Sequence, residues 1–190
     1  KSVKFDGQRK IGNPEEFALK YSDNNIDEIF LVNNTGSLFN TTLDGKIVKN
    51  IRSKVTMPIA GGGGISSTSE VERLIKSGCD KIILNTLLYE NPKIFSEIVS
   101  IFGSSSVVGS IQYSRENKSS TYYKMAREQT GLDIFDTIKK NIEYGCGEIL
   151  ITEVSGDGNY VGLDKETISV AKKFKEVPIL IGGGFRDKNE

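Results

Sequence analysis

Histidine is absent from the 190 residues, and so is tryptophan. Without imidazole the chain lacks the commonest general base near neutral pH and the commonest metal ligand. Acid–base chemistry then falls to Asp, Glu, Lys, Tyr or water, and neither a metal site nor a cofactor is expected. Two cysteines, Cys79 and Cys146, are too few for a disulfide framework. Each follows a glycine turn (Ser77-Gly78-Cys79, Tyr144-Gly145-Cys146) and precedes an apolar run, the place of a small buried residue. An excess of one charge is missing too: 25 Lys and Arg balance 25 Asp and Glu. Nucleic acid and anionic membrane surfaces usually recruit a basic excess, so neither is an expected partner. No apolar run nears the ~20 residues that span a bilayer, and no signal-peptide pattern opens the chain. A cytoplasmic location is the expectation.

What is present is an alternation. Short, nearly continuous apolar runs at 27–32, 57–61, 80–84, 106–111, 148–152 and 177–181 read as six parallel strands covered on both faces. Between them lie helix-period runs at 14–24, 44–53, 67–77, 92–102, 133–144 and 165–175. Asn13-Pro14-Glu15-Glu16 puts a cap, an N1 proline and two acids in order, and Asn91-Pro92 repeats the start signal. Strand alternating with helix defines an α/β parallel sheet.

An internal repeat decides between an open and a closed sheet. Slid by 120 residues without a gap, 27–64 falls on 147–184, and ten of the 38 positions are identical: Glu28/Glu148, Ile29/Ile149, Gly36/Gly156, Leu43/Leu163, Asp44/Asp164, Pro58/Pro178, Ile59/Ile179 and Gly62-Gly63-Gly64/Gly182-Gly183-Gly184. Average composition gives roughly two or three. The repeat unit holds four strands, and two units make eight, the number of a (β/α)8 TIM barrel. At about 30 residues per unit a barrel needs roughly 240 residues. The expectation is one incomplete barrel domain over 1–190 with six strands visible. The first strand is expected before Lys1, and the eighth strand and last helices after Glu190.

In such a barrel function sits at the C-terminal strand ends, which is where the two glycine runs fall. Gly62, Gly63 and Gly64, and Gly183 and Gly184 four strands on, let backbone N–H groups approach an anion, with a following helix N-terminus behind them. Two such sites suit a phosphorylated or sugar-phosphate substrate with an anion at each end. Asn85-Thr86 follows the next strand and adds donors to the first site. Asp157-Gly158 lies in the turn beside the second, where Gly158 joins the phosphate loop and Asp157 is a candidate catalytic acid. Glu28, Lys81 and Glu148 stand at the opposite, N-terminal strand ends. Facing inward they would form a charged cluster with an excess of acid, in want of another cation.

Ile26-Asp27-Glu28, Gly62-Gly63-Gly64-Ile65, Gly78-Cys79-Asp80-Lys81, Asn85-Thr86, Glu90-Asn91-Pro92, Phe102-Gly103-Ser104, Gly147-Glu148-Ile149-Leu150 and Asp157-Gly158 together resemble the cyclase subunit family of imidazole glycerol phosphate synthase. The likeness runs through all 190 residues. It implies a duplicated half-barrel and a glutaminase subunit as heterodimer partner on the N-terminal face. It also implies ammonia passing through the barrel behind a charged gate, to which Glu28, Lys81 and Glu148 correspond. The family's Asp at the end of the fifth strand falls on Gln112, and an acid of its second strand falls on Asn33. A carboxamide does not accept and return a proton as a carboxylate does. Lys1-Ser2-Val3-Lys4-Phe5, with Lys1 as a further candidate at the active face, and 106–111 look closer to a paralogous branch that accompanies surface-polysaccharide genes. The resemblance therefore implies an ammonia-using synthase subunit serving amidination of a glycan sugar. A genuine histidine-pathway cyclase and a non-catalytic scaffold that activates a glutaminase stand as alternatives.

Overall fold

The computed structural model describes residues 3–7 and 9–187. Two compact units divide the chain: Ile11–Val108, and Gly109–Glu190 together with Lys1–Lys10.

In the first unit, α1 (Pro14–Asp23) starts where the Asn13 side chain accepts from Glu15 N, with Pro14 at N1. There follow β1 (Ile29–Val32), the short α2 (Gly36–Phe39), α3 (Gly45–Arg52), β2 (Ile59–Gly62), α4 (Thr68–Ser77) and β3 (Lys81–Leu84). A short α5 (Leu87–Glu90) leads to α6 (Pro92–Phe102) and a 3-10 turn at Ser104–Ser106. Gly78 ends α4 at φ 115°, the left-handed stop that glycine takes without steric cost. β1, β2 and β3 pair in parallel, Ile29 against Ile59 and Ala60 against Lys81. Ile51, Ile59, Leu74, Ile82, Leu88, Phe95 and Ile98 are fully buried, each worth about 1.5–3 kcal/mol relative to exposure. This core lies between the apolar faces of the helices and the strands.

β4 (Val107–Ser114) leads into the second unit, with β5 (Asn117–Tyr123), β6 (Glu128–Gln129), α7 (Ile134–Glu143), β7 (Glu148–Glu153), α8 (Lys165–Ala171) and β8 (Ile179–Gly182). Ile111, Tyr113, Ile138, Ile149, Ile151 and Ala171 form its core. β7 and β8 pair in parallel.

The six expected strands are β1, β2, β3, β4, β7 and β8, each within two residues at either end except that β4 runs three further. β5 and β6 were not expected. They extend β4 as an antiparallel ribbon, Gln112 opposite Tyr122 and Tyr122 opposite Gln129, with a register shift between Gln112 and Ser114. The polar stretch Lys118-Ser119-Ser120-Thr121 has no apolar run to betray it. Pairing with β4 and burial of Ser120 and Thr121 make it a strand. α8 ends at Ala171, four residues earlier than its sequence pattern.

The repeat is reproduced within each unit. Ile29, Phe30, Leu31 and Val32 pair with Ile59, Ala60, Gly61 and Gly62; Ile149, Leu150, Ile151 and Thr152 pair with Ile179, Leu180, Ile181 and Gly182. Ile29 N donates to Pro58 O at 3.1 Å, and Ile149 N to Pro178 O at 3.0 Å. Asp44 caps α3 by accepting from Lys46 N, and Asp164 caps α8 by accepting from Glu166 N. Parallel βα units and a half-domain repeat are the (β/α)8-barrel class.

Candidate functional site: two glycine loops at strand ends

Gly62 closes β2 and is followed by Gly63 at φ 98° and Gly64 at φ 70°. Gly182 closes β8 and is followed by Gly183 at φ 90° and Gly184 at φ 81°. Both turns lie in the left-handed region that glycine enters without steric cost. The first glycine of each turn has a second reason. A Cβ on Gly63 would run into the Asn33 backbone, and one on Gly183 into the Glu153 backbone. Gly64 is likewise pressed against Thr41 O, whereas a Cβ on Gly184 would meet Gly162 O at 3.0 Å and Arg115 Nη2 at 3.5 Å. Gly184 is thus the loop glycine with most room and a cation beside it.

Asn85 and Thr86 follow β3 in the same unit as the first loop. Asp157 lies in the turn after β7; its N–H donates to Val154 O at 3.2 Å, its carbonyl accepts from Lys4 N at 3.0 Å, and Gly158 follows at φ 76°. Gln112 lies on β4, and its Oε1 accepts from Ala126 N at 2.7 Å. Ala126 ends a run of three left-handed residues, Lys124, Met125 and Ala126, at φ 54–59°. Each non-glycine residue in that region costs about 1–2 kcal/mol, so the Gln112 carboxamide is fastened to a strained turn. Lys1 lies outside the described residues.

At the other strand ends, Lys81 Nζ stands 3.1 Å from Glu28 Oε2 within the first unit. Oε1 of Glu28 is buried without a hydrogen bond. Glu148 opens β7 in the second unit and is buried. Among the described residues no group of His, Cys, Asp and Glu is arranged to hold a metal ion. Both cysteines are buried and outside any disulfide, and the Cys146 thiol donates to Asn141 Oδ1 at 3.6 Å. Burial pushes the Cys79 thiol up to about 11 and that of Cys146 to about 12, so neither is a nucleophile at neutral pH.

Two residues of this region escaped the sequence reading. Glu153, at the C-terminal end of β7, is 1% exposed. Its Oε1 accepts from Arg115 N and Ser155 N, both at 3.1 Å, and from the Ser155 hydroxyl; its Oε2 takes Arg115 Nε at 3.1 Å. Arg115 Nη2 donates to Gly162 O at 2.7 Å, and Gly162 N donates to Gly184 O at 2.7 Å. The signal was in the repeat: position 153 is the partner of 33, where the first copy carries Asn.

Fold and loops define an α/β protein of the (β/α)8-barrel class with left-handed glycine turns at two related strand ends. The profile of the family described as Histidine biosynthesis protein matches residues 1–190, and the chain belongs to that family. The Imidazole glycerol phosphate synthase subunit HisF of Legionella pneumophila is 34% identical over 187 residues, covering 97% of this chain and 88% of that protein. The subunit of the same name from Dictyoglomus turgidum is 34% identical over 186 residues (97% and 74%), and that from Helicobacter hepaticus 35% over 186 (97% and 74%).

Proposed function

We propose that this chain is the ammonia-using synthase subunit of a cytoplasmic glutamine amidotransferase pair. Each glycine run takes an anionic group of a phosphorylated or sugar substrate, and the acceptor is a surface-glycan sugar rather than the histidine-pathway intermediate. The observation that carries the choice of acceptor is Gln112. Where an acid would exchange a proton, the chain holds a neutral carboxamide whose oxygen is already engaged by Ala126 N. A positioned acid or base typically supplies ~10²–10⁴-fold of rate, and its loss leaves little turnover on a substrate that needs it. Asp157 is the remaining carboxylate in the turn after β7. Gly62, Gly63, Gly64, Asn85, Thr86 and Gly158 serve the anions with Gly183 and Gly184.

The deciding assay supplies ammonium salt and the histidine-pathway substrate to the protein and follows cyclisation. Turnover far below that of an authentic synthase is expected, with Gln112→Asp not lowering it. Ordinary turnover in the wild type would refute the reading and favour the genuine cyclase, for which identity to synthase subunits over 97% of the chain speaks.

The charges at the other strand ends support the glutaminase partner that the family resemblance implies. Glu28, Lys81 and Glu148 lie away from the glycine loops along their strands and have no part in chemistry there. A polar entrance admits neutral ammonia where a packed apolar layer would block it. With the glutaminase subunit bound, Lys81→Ala is expected to release glutamate without matching aminated product. Unchanged coupling would remove the gate assignment and leave the scaffold reading ahead.

A further inference from the structure

We propose that Arg115 is the specificity-determining contact of the second glycine loop, a guanidinium ligand for a phosphate group, and that Glu153 is its positioning residue. This deepens the anion-binding reading above and rests on it.

Arg115 has most of its donor nitrogens engaged by the protein. Its Nε is taken by Glu153 Oε2 at 3.1 Å and its Nη2 by Gly162 O at 2.7 Å. Its backbone N–H also donates to Glu153, so side chain and main chain are both held by one carboxylate. Among the described residues no protein acceptor takes Nη1. The side chain is 28% exposed while its carboxylate partner is 1% exposed. The arrangement is a cation fixed from behind by a buried anion, with one edge of the fork left toward solvent.

Arg115 Nη2 also borders Gly184: a Cβ placed there would stand 3.5 Å from it, so the guanidinium lies beside the left-handed turn whose amides, on the reading above, take the anion. Guanidinium and consecutive backbone N–H groups are complementary to phosphate oxygens, and charge-assisted bonds of this kind are about twice as strong as neutral ones. Gly162 joins the two: its carbonyl accepts from Arg115 and its N–H donates to Gly184 O. Arg115, Gly162 and Gly184 are thus one hydrogen-bonded unit, and Glu153 sets its geometry before any ligand arrives.

A purely structural role would need no arginine. The first glycine loop has the same turn and the same close approach to position 33, yet Asn33 satisfies it with neutral bonds, Nδ2 to Thr41 O at 3.1 Å and to Thr41 Oγ1 at 3.2 Å. The second loop has instead an ion pair whose carboxylate is buried. Such a pair is a weak contributor to stability because burial costs the carboxylate its hydration. A function that requires a fixed cation accounts for it. The consequence is that the two loops differ in what they select: the second prefers a dianionic phosphate group, while the first offers neutral donors.

The test is a titration of the full chain with inorganic phosphate, read separately at the two loops by the backbone amide signals of Gly64 and Gly184. Arg115→Met is expected to raise the dissociation constant read at Gly184 by about tenfold or more and to leave that at Gly64 unchanged. Arg115→Lys, which keeps charge but loses the fork, is expected to fall between. Glu153→Gln is expected to weaken binding at Gly184 alone. A merely structural role predicts lower melting temperature with unchanged affinity in the folded variants, and that outcome overturns the proposal. Should Arg115→Met not fold, Arg115→Lys decides: affinity at Gly184 equal to wild type overturns it as well. If neither amide of the wild type responds to phosphate, the anion-binding reading has failed, a result distinct from binding that ignores Arg115.

Discussion

The loops at 33–44 and 153–164 share register and helix cap, and they differ in how they hold the strand end. In the first, Asn33 spends a neutral amide on Thr41, and Thr35 donates back to it at 3.3 Å. In the second, Glu153 gathers four donors, one of them the Arg115 guanidinium. The contrast extends to position 40 of the first copy and 160 of the second. Asn40 sits at φ 51°, where asparagine is at ease; Tyr160 sits at φ 55°, where a bulky side chain is not. The left-handed position is present in both copies, while the residues around it differ, in the second copy toward charge and strain. Geometry reflects what the fold requires, and the departures mark where one copy has taken on something else.

The comparison breaks first at its shared part. Gly63→Ala and Gly183→Ala each drive a Cβ into backbone. Each is expected to cost about 3 kcal/mol or more, near the top of the range for single changes, with equal losses in urea unfolding. A mild loss in one half only would mean that the two turns are not equivalent.

Glu153→Ala comes next. It leaves Arg115 and three further donors without their acceptor; breaking a buried pair costs about 3–5 kcal/mol, and the partial exposure of Arg115 reduces this to about 2–3. Asn33→Ala is expected to cost about 1 kcal/mol, the net worth of ordinary hydrogen bonds. Equal losses at 33 and 153 would erase the asymmetry.

Smaller and again symmetric, Asp44→Ala and Asp164→Ala each remove a helix cap, for about 1 kcal/mol apiece. Smallest, and opposite in sign, Tyr160→Asn places in the second copy the residue that the first has at Asn40. Relief of the left-handed strain is expected to stabilise the protein by about 0.5–1 kcal/mol. A lower melting temperature for this variant would show that the Tyr160 ring makes contacts worth more than its strain.

Fold class was legible because repetition is visible without coordinates: Pro58/Pro178 and the glycine runs are identical residues at fixed spacing, and the strands beside them are unbroken apolar runs. The β5–β6 ribbon was not, since Lys118–Thr121 is polar and its strand character comes from pairing with β4. Glycine positions were legible, but their reason only in part. Gly63 and Gly183 read as ligand-facing, and the structure shows backbone approach as a sufficient cause for both. Glu153 was illegible by type, because an acid at a strand end is usually a solvated charge. What distinguishes it is burial and an arginine 38 positions away, and neither has a local signature.

The buried cysteines have a use in kinetics. Cys79 belongs to one unit and Cys146 to the other, and with thiols held at about 11 and about 12 each is silent toward disulfide reagents until its surroundings part. Labelling speed at mild alkalinity therefore clocks the local breathing of each unit on its own. The native chain carries two stopwatches, one per compact unit, that need no engineered probe.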